Sequence, residues 1–343
     1  MTEELLKNYQ NTGNQYISRG RLNSNNYRPV ELVIQFNDKS ETPYVRKEIP
    51  YNDEKEPNYY FKREVSFLAL AQNMNLPFVK MREFVYPSPE ESGYIIMEYM
   101  KGGDLMSVIR QYYNLPGYKA FDITSTDSKM AYDYEISASS SSSFEKLPID
   151  FNNTRKMIIM YGLAVAIKFL HDNNIFHRDI KPQNVLLDEK GNPFLSDFGL
   201  AREISDSKNL LLSGKRGTYF YMPQEVFLSD TPDSRSDIYA FGVTVLLMLT
   251  GELKMNDKGH IFNALILDEN RLMEKITDGC YYIIPDNHDV PQCFKDLITS
   301  CCQPDPTKRI TIDNIVSKFE NGEYTFSDVD QTAFQQYKNN IHK

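Results

Sequence analysis

The stretches HRDIKPQN, at residues 177–184, and DFG, at residues 197–199, decide the fold of this chain. They place Asp179, Asn184 and Asp197 in a fixed order, with Lys181 two residues after the first of them. A solvated or helix-capping carboxylate is the ordinary explanation for each acidic residue taken alone. The complete set at this spacing has no such explanation, and it indicates a functional site.

On the N-terminal side of this site, the sequence predicts a small unit rich in strands. Residues 30–36 and 44–49 are rich in β-branched and aromatic side chains and flank a polar turn, which predicts a hairpin. Apolar residues at helical spacing predict one helix around 61–69, and residues 93–99 predict a further strand. The first hundred residues are therefore expected to form a β-rich unit with one main helix.

The rest of the chain is expected to be mainly helical. Residues 157–170, 243–249 and 294–302 are apolar enough to predict three buried helices. The pattern breaks between Tyr112 and Asp150, where a run of five serines begins at Ser139. We interpret that stretch as an inserted loop that is at least partly disordered.

Composition excludes several classes of function. The 343 residues carry 38 basic and 47 acidic side chains, a net charge of −9, without a long Lys/Arg cluster. Because neutralising phosphates requires concentrated positive charge, we do not expect a nucleic-acid binder. No apolar stretch is long enough to span a bilayer, no cysteine pair has C-x-x-C spacing, and the first residues lack a secretory signal pattern. We therefore expect a cytoplasmic protein with reduced thiols and no membrane span.

The two stretches around residues 177–199 resemble the catalytic loop and the metal-binding loop of eukaryotic protein kinases. The resemblance extends over residues 27–319 and is strongest over 94–241. It implies an α+β, two-lobed protein-kinase fold, with a small β-rich N-lobe that carries one main helix and a larger, mainly α-helical C-lobe. The expected divisions are an N-terminal extension (1–13), the N-lobe to the hinge (14–100), the C-lobe (101–320) with the inserted loop (112–150), and a C-terminal tail (321–343).

The resemblance implies a role for each residue of the catalytic stretches. Asp179 would accept the proton of the substrate hydroxyl, and Lys181 would reach the transferred phosphate as a point charge. Asn184 and Asp197 would hold Mg²⁺, since a hard cation prefers oxygen ligands.

In the small lobe, the resemblance assigns a pair of charged residues to nucleotide binding. Lys47 is placed where kinases grip the α- and β-phosphates of ATP, and Glu64 is placed where a helix glutamate pairs with that lysine. A lone strand lysine is usually exposed to solvent, and a buried one without a partner tends to lose its proton. Leu68, one turn after Glu64, is expected to join His177 and Phe198 in a hydrophobic stack.

Residues 95–100 resemble the strand that leads into the kinase hinge. Glu98 and Met100 would offer backbone groups to adenine, and Met97 would be the gatekeeper at the back of the pocket. Asp104 is placed either to hydrogen-bond the ribose or to cap the following helix. Leu186 is expected to contact the nucleotide in the same pocket.

The glycine-rich loop departs from the family pattern. Three glycines are usual there because bare backbone N–H groups can then approach the phosphates. This chain keeps only Gly20 in the matching stretch, and the interval from there to Lys47 is several residues too long. Either the loop is degenerate, with an insertion at residues 23–26, or it lies elsewhere.

The activation segment would run from Asp197 to Glu225. Within it, the dipeptide at residues 217–218, glycine and threonine, resembles the substrate-docking loop of serine/threonine kinases. Glu225 would pair with Arg309, and Asp237 would hold the backbone of the catalytic loop.

A second pattern concerns regulation. Arg178 and Arg202 would form a basic pocket for a phosphate on Ser213, added by an upstream kinase or by autophosphorylation. The alternative is that Ser205, Ser207 and Ser213 are only polar residues of a mobile loop.

The sequence thus predicts an ATP- and Mg²⁺-dependent kinase that transfers the γ-phosphate to Ser/Thr hydroxyls of protein substrates. Because the chain is acidic, we expect it to favour basic substrates. A pseudokinase that acts as a binding scaffold is one alternative, because of the degenerate glycine-rich loop. A small-molecule kinase of the same fold is another. At the C-terminal end, residues 334–337 are expected to form a frayed helix rather than to pack back on the small lobe.

Overall fold

The structure, a computed structural model, describes residues 6–11, 13–23, 29–51, 58–72, 75–115, 148–203, 219–229 and 233–341. Several predicted features therefore lie outside the described residues. They are most of the inserted loop (116–147), the middle of the loop after β1 (24–28), and most of the activation segment (204–218), with Ser205, Ser207, Ser213, Gly217 and Thr218.

The small lobe is built on a five-stranded antiparallel sheet in the order β1-β2-β3-β5-β4. Its strands are Tyr16–Arg21 (β1), Val30–Gln35 (β2), Pro43–Ile49 (β3), Met81–Val85 (β4) and Gly93–Glu98 (β5). The predicted hairpin is β2–β3, in which Leu32 lies opposite Val45. Helix α1 (Tyr59–Gln72) packs on the sheet, with the Phe61 ring edge-on to Phe84 of β4 at 6.1 Å between centroids.

Residues that precede β1 cover the outer edge of β4. Gln10 forms a parallel bridge with Phe84, whose backbone exchanges hydrogen bonds of 2.8 Å with Tyr9 and Asn11. The Asn14 side chain donates to the buried carboxylate of Glu83 at 2.5 Å. An uncovered edge strand exposes a row of backbone N–H and C=O groups, so this contact satisfies groups that would otherwise be open.

The large lobe is helical, as predicted. Its described helices are Leu105–Tyr113 (α2), Asn153–Asp172 (α3), Gln224–Ser229 (α4), Ser234–Thr250 (α5), Glu269–Thr277 (α6), Gln292–Cys301 (α7), Ile312–Glu320 (α8) and Gln331–Ile341 (α9). Helices α3 and α5 are buried nearly all round and form the centre of the lobe. Both extend beyond the apolar runs that predicted them, because they begin at polar caps, Asn152 and Asp233, whose side chains accept from the first turn.

Short strands shape the floor of the cleft and one side of the large lobe. A three-stranded sheet contains Gly103–Asp104 (β6), Val185–Leu187 (β8) and Pro193–Leu195 (β9), and Ile175–Phe176 (β7) pairs with Arg202–Glu203 (β10). A second three-stranded sheet contains Lys254–Asp257 (β11), His260–Asn263 (β12) and Tyr281–Ile283 (β13). None of the helices in the described parts of the chain is both long and apolar enough to cross a membrane.

The prediction of a frayed C-terminal helix is wrong. Helix α9 is ordered, and its side chains Phe334 and Tyr337 are buried. They pack against α3 in the large lobe, with the Phe334 ring edge-on to Tyr161 at 5.5 Å between centroids. The physical reason is that the two aromatic residues are one turn apart and lie on one face of the helix. The polar residues around them made this apolar face hard to recognise in the sequence.

Candidate active site

Lys47 joins the two lobes through a pair of carboxylates. Its ammonium lies 2.5 Å from Glu64 Oε1 of α1 and 2.8 Å from Asp197 Oδ1, in the stretch that follows β9. Burial alone would lower the pKa of Lys47, but Asp197 and Glu64 outweigh it and raise the pKa above its usual value. Burial acts against ionisation of Asp197 as well, yet Lys47 holds the pKa of that carboxyl below its usual range. The lysine is therefore a fixed cation that faces the cleft.

The catalytic stretch forms a compact constellation on the large-lobe side of the cleft. Lys181 Nζ lies 2.8 Å from Asp179 Oδ2. The Asn184 amide donates to the same oxygen at 2.9 Å and to the backbone carbonyl of Asp179 at 2.7 Å. Asp179 is thus held by two neighbours from its own loop, and the amide oxygen of Asn184 is left as the atom that can face a cation.

Asp237, in the first turn of α5, anchors this loop from below. Its Oδ1 accepts from the backbone N–H of Arg178 at 2.8 Å, and its Oδ2 accepts from that of His177 at 2.9 Å and lies 3.1 Å from His171 Nε2. Burial opposes ionisation, but the hydrogen bond with His171 and the nearby charges lower the pKa of Asp237 below its usual value. The anion lets Arg178 keep a left-handed backbone (φ 66°), a conformation that costs a non-glycine residue energy.

The DFG stretch is fixed by contacts from both lobes. The Phe198 ring is buried and lies edge-on to His177 at 5.3 Å, and the His177 ring meets the backbone carbonyl of Ser196 at 3.1 Å. Leu68, predicted for the same stack, is buried and lines the cleft beside it. From α1, Arg63 donates to the backbone carbonyl of Gly199 at 3.2 Å.

Arg63 and His171 are the site residues that sequence reasoning missed. Arg63 directly precedes Glu64 in a helix whose other inward residues are mostly apolar, and it is buried. An arginine on the apolar face of a helix requires a partner when it is buried. Its position on that face was the available signal in the sequence. Nothing in the sequence linked His171 to Asp237, which lies 66 residues away.

The cleft between the lobes contains a cavity of about 230 Å³. The predicted hinge and pocket residues all line it: Met97, Glu98, Met100, Asp104, Leu186 and Asp197. Leu22, Val30 and Val45 line it from the small lobe. The cavity thus has apolar walls with Lys47 at its inner end, which suits a flat aromatic group attached to phosphates.

Two nucleotide-site predictions are changed by the structure. Asp104 lines the cavity and also caps α2, since its carboxylate accepts from Ser107 N at 2.9 Å and from Ser107 Oγ at 2.6 Å, so both proposed roles are compatible. Gly20 is a correction, because it lies inside β1 at a bulge opposite Leu32 and does not line the cavity.

The described residues contain no group of three or more His, Cys, Asp or Glu side chains that could hold a metal ion. Asn184 and Asp197 nevertheless offer two oxygen atoms into one cleft, and each side chain uses its other contacts to stay oriented. Such a pair is too small a ligand set for a resident ion but fits Mg²⁺ that arrives with a phosphate, because Mg²⁺ is commonly held by one or two carboxylates and substrate oxygens.

The predicted support of the activation segment is present. Arg309, buried behind α5, forms a two-point ion pair with Glu225, with Nη1–Oε1 2.5 Å and Nη2–Oε2 3.0 Å. Arg309 also donates to the backbone carbonyls of Gln303 and Arg235. This contact ties the end of the activation segment to the core of the large lobe.

Comparisons with known proteins agree with this geometry. A family model described as the protein kinase domain matches residues 31–319. The chain is 35% identical over 188 residues to a protein kinase and PP2C-like domain-containing protein of Arabidopsis thaliana, which covers 48% of this chain and 28% of that protein. It is 26% identical over 286 residues to serine/threonine-protein kinase ppk34 of Schizosaccharomyces pombe, which covers 82% of this chain and 66% of that protein.

A probable serine/threonine-protein kinase of Clostridium perfringens, CPE1738, is 26% identical over 252 residues, 73% of this chain and 29% of that protein. The chain spans about a third or less of the length of several curated relatives that it matches. Since the family model covers most of the chain, the chain belongs to the eukaryotic protein kinase superfamily, and its relatives are of the serine/threonine type.

Proposed function

We propose that this chain is an active, ATP- and Mg²⁺-dependent protein kinase that phosphorylates Ser/Thr hydroxyls of protein substrates. The observation that carries the proposal is the contact of Lys47 with both Glu64 and Asp197, at 2.5 and 2.8 Å. That contact requires α1 and the DFG stretch to be turned inward at the same time, which is the arrangement needed for phosphoryl transfer.

The reaction follows from the positions of the charged groups. Adenine would occupy the apolar cavity beside Glu98 and Met100, and Lys47 would hold the α- and β-phosphates. When bound, Mg²⁺ would neutralise phosphate charge, and Asn184 and Asp197 would hold it. The hydroxyl oxygen of the substrate forms a bond to the γ-phosphorus, and the bond from that phosphorus to the bridging β–γ oxygen breaks.

Asp179 has the position of the proton acceptor in this reaction. It is 8% exposed, and Lys181 Nζ lies 2.8 Å from its Oδ2. As the proton of the hydroxyl moves to Asp179, Lys181 would stabilise the charge that develops on the transferred phosphoryl group. The pair therefore orients the nucleophile and stabilises the transition state from the same side of the cleft.

The test is transfer of label from γ-labelled ATP to a generic basic protein, with and without Mg²⁺, followed by identification of the labelled amino acids. We expect Mg²⁺-dependent label on Ser/Thr, which Asp179→Asn lowers by about 10²- to 10⁴-fold and which Asp172→Asn, at the exposed end of α3, retains. Nucleotide binding without transfer would favour the pseudokinase alternative. The observation that supports this alternative is that Gly20 does not line the cavity. Label on a small molecule, with none on protein, would favour the alternative of a small-molecule kinase of the same fold.

Substrate choice and regulation are finer parts of the same proposal. The net charge of −9 favours basic substrates through long-range attraction, so KM for a basic substrate should rise with salt concentration. Phosphorylation of the activation segment, by an upstream kinase or by the chain itself, should raise activity. Phosphatase treatment and Ser213→Ala test this, and activity that resists both would contradict it.

A further inference from the structure

Helix α9 follows the last helix of the matched family region and lies on α3. Its contact surface contains Phe334 and Tyr337, which are one turn apart and buried. Tyr337 lies over Gly162 in the middle of α3. A Cβ atom at Gly162 would come within 2.6 Å of Pro193 Cγ, and closer still to Tyr337 Oη. The missing side chain at Gly162 therefore makes the notch that seats α9.

The start of α9 is fixed to the start of α3 by polar contacts. The backbone N–H of Asp330 donates to Thr154 Oγ1 at 2.8 Å, and the Asn153 amide donates to Asp328 at 2.9 Å. The Asp330 side chain accepts from the backbone of Thr332 at 2.9 Å, as a helix cap does. The helix thus has a fixed position on the large lobe at its beginning and at its middle.

The last turn of α9 reaches the small lobe. The Asn75 side chain donates to the backbone carbonyl of Asn340. Asn75 belongs to the connection between α1 and β4, three residues after α1 ends at Gln72. On the other side of that connection, Val79 N donates to Leu195 O at 3.1 Å and Leu195 N donates to Pro77 O at 2.8 Å. The connection is therefore held by β9 and by α9 at once.

This connection leads from the end of α1 to β4, and α1 carries both Arg63 and Glu64. Glu64 meets Lys47, and Arg63 meets the backbone of Gly199, only when α1 is close to the cleft. A movement of about 1 Å at the end of a rigid helix is transmitted along it, and misplacement on that scale is enough to lower catalytic rates.

We propose that α9 is a positioning element for α1, which holds the α1–β4 connection through Asn75 and so keeps Glu64 in contact with Lys47. The inference rests on the proposed kinase activity. Asn75 and Tyr337 are positioning residues, since they act through α1 and touch neither nucleotide nor substrate.

The first test compares Asn75→Ala with Asn339→Ala in the full chain. Asn339 is an exposed amide on the same helix turn that bonds only within α9, to Gln335, among the described residues. We expect Asn75→Ala to lower kcat about 2- to 10-fold, the size that one hydrogen bond can contribute, with a Tm close to that of the wild type. Asn75→Gln, which keeps an amide donor, should restore part of the loss, and Asn339→Ala should change neither quantity.

The second test asks whether the effect passes through Glu64. In a Glu64→Gln background, where the ion pair is already weakened, Asn75→Ala should have little further effect on kcat, so the two losses should not add. Hydrogen exchange without nucleotide supplies a readout independent of activity. The backbone amides of α1 should exchange faster in Asn75→Ala than in Asn339→Ala.

The third test loosens α9 at the notch. Gly162→Ala should displace Tyr337, lower Tm by about 1–4 °C and speed exchange in α1. Tyr337→Phe removes a buried hydroxyl that has no hydrogen-bond partner among the described residues, so it should be neutral alone and should partly restore Gly162→Ala.

The outcomes are distinguishable from failure of the proposed function. If the wild-type chain transfers no phosphate, the proposed function is wrong, and exchange in α1 alone tests the contact with α9. If the wild type is active but Asn75→Ala leaves kcat and α1 exchange unchanged, or if its loss adds fully to that of Glu64→Gln, the positioning role is refuted.

Discussion

Asp237→Asn perturbs a buried side chain that supports the catalytic loop from the core. Asp237 is 1% exposed and accepts from the backbone N–H groups of His177 and Arg178, with His171 as a third partner. Asparagine keeps one acceptor oxygen and turns the other into a donor. At least one backbone N–H then faces a donor inside the protein, so a charge-assisted bond is lost and a buried polar group is left unsatisfied.

The magnitude follows from these two losses. A hydrogen bond to a charged group contributes about 1.5–3 kcal/mol, and an unsatisfied buried group costs about 1–3 kcal/mol. We therefore expect Asp237→Asn to lower the free energy of unfolding by about 3–5 kcal/mol, and Tm by roughly 4–7 °C for a chain of this size. Because Asp179 follows Arg178 directly, kcat should also fall, by at least about 10-fold.

The assay is thermal unfolding with turnover on the same samples. Asp233→Asn is the matched control, since Asp233 caps the same helix and asparagine caps about as well as aspartate. Its Tm and kcat should stay near those of the wild type. A Tm for Asp237→Asn within about 1 °C of the wild type would refute the role of Asp237 as the anchor of the catalytic loop.

The lowered pKa of Asp237 adds a pH dependence. A carboxylate whose pKa is depressed on folding stabilises the fold above its unfolded pKa, near the usual 3.8, and loses that contribution as pH falls toward the folded value. The Tm difference between the wild type and Asp237→Asn should therefore be constant above about pH 5 and shrink below about pH 4. A difference that grows on acidification would contradict the sign of the shift.

Three further perturbations test separate parts of the structure. Glu225→Gln removes the negative charge that pairs with buried Arg309 and leaves it only one acceptor oxygen. This substitution should lower the free energy of unfolding, measured by urea unfolding, by about 2–4 kcal/mol. Gly242→Ala would bring Cβ within 2.5 Å of Cys301 Cβ, so we expect a loss of about 1–3 kcal/mol in the same assay. Lys156 is buried among aromatic rings and burial lowers its pKa, so Lys156→Met should be neutral or stabilising at pH 7.

Unfolding measurements can contradict each of these three predictions. Unchanged urea midpoints for Glu225→Gln or Gly242→Ala would mean that the ion pair or the close helix contact contributes nothing. For Lys156, whose charged form is disfavoured by folding, the wild type should gain stability relative to Lys156→Met as pH rises toward the unfolded pKa near 10.5. A relative loss of stability over that interval would contradict the assignment.

Much of the fold could be predicted because its signals are local. The β2–β3 hairpin and the buried helices α3 and α5 are visible as runs of period 2 or as apolar segments. Asp179, Asn184 and Asp197 were predicted for a different reason, since the motifs that contain them resemble the catalytic and metal-binding loops of protein kinases. In the structure, Asn184 and Asp197 line one cleft, and Asp179 contacts Asn184.

The remainder depended on contacts between distant parts of the chain. His171 and Asp237 are 66 residues apart, and Asn75 and Asn340 are 265 residues apart, so no window of sequence contains either pair. The seat for α9 depends on the absence of a side chain at Gly162, which carries no periodic signal. Gly20 failed as a phosphate-loop residue because a single glycine cannot distinguish a strand bulge from a turn.

The most direct test of the central claim measures turnover and ATP affinity together on Asp179→Asn. If Asp179 accepts the proton of the hydroxyl, turnover should fall by about 10²- to 10⁴-fold while the Kd for ATP, measured with Mg²⁺, changes by less than about threefold. Lys47→Met, in contrast, should clearly raise the Kd for ATP. Turnover that survives Asp179→Asn, or a wild-type chain that binds ATP and transfers no phosphate, would contradict the assignment of Asp179 as the proton acceptor of an active kinase.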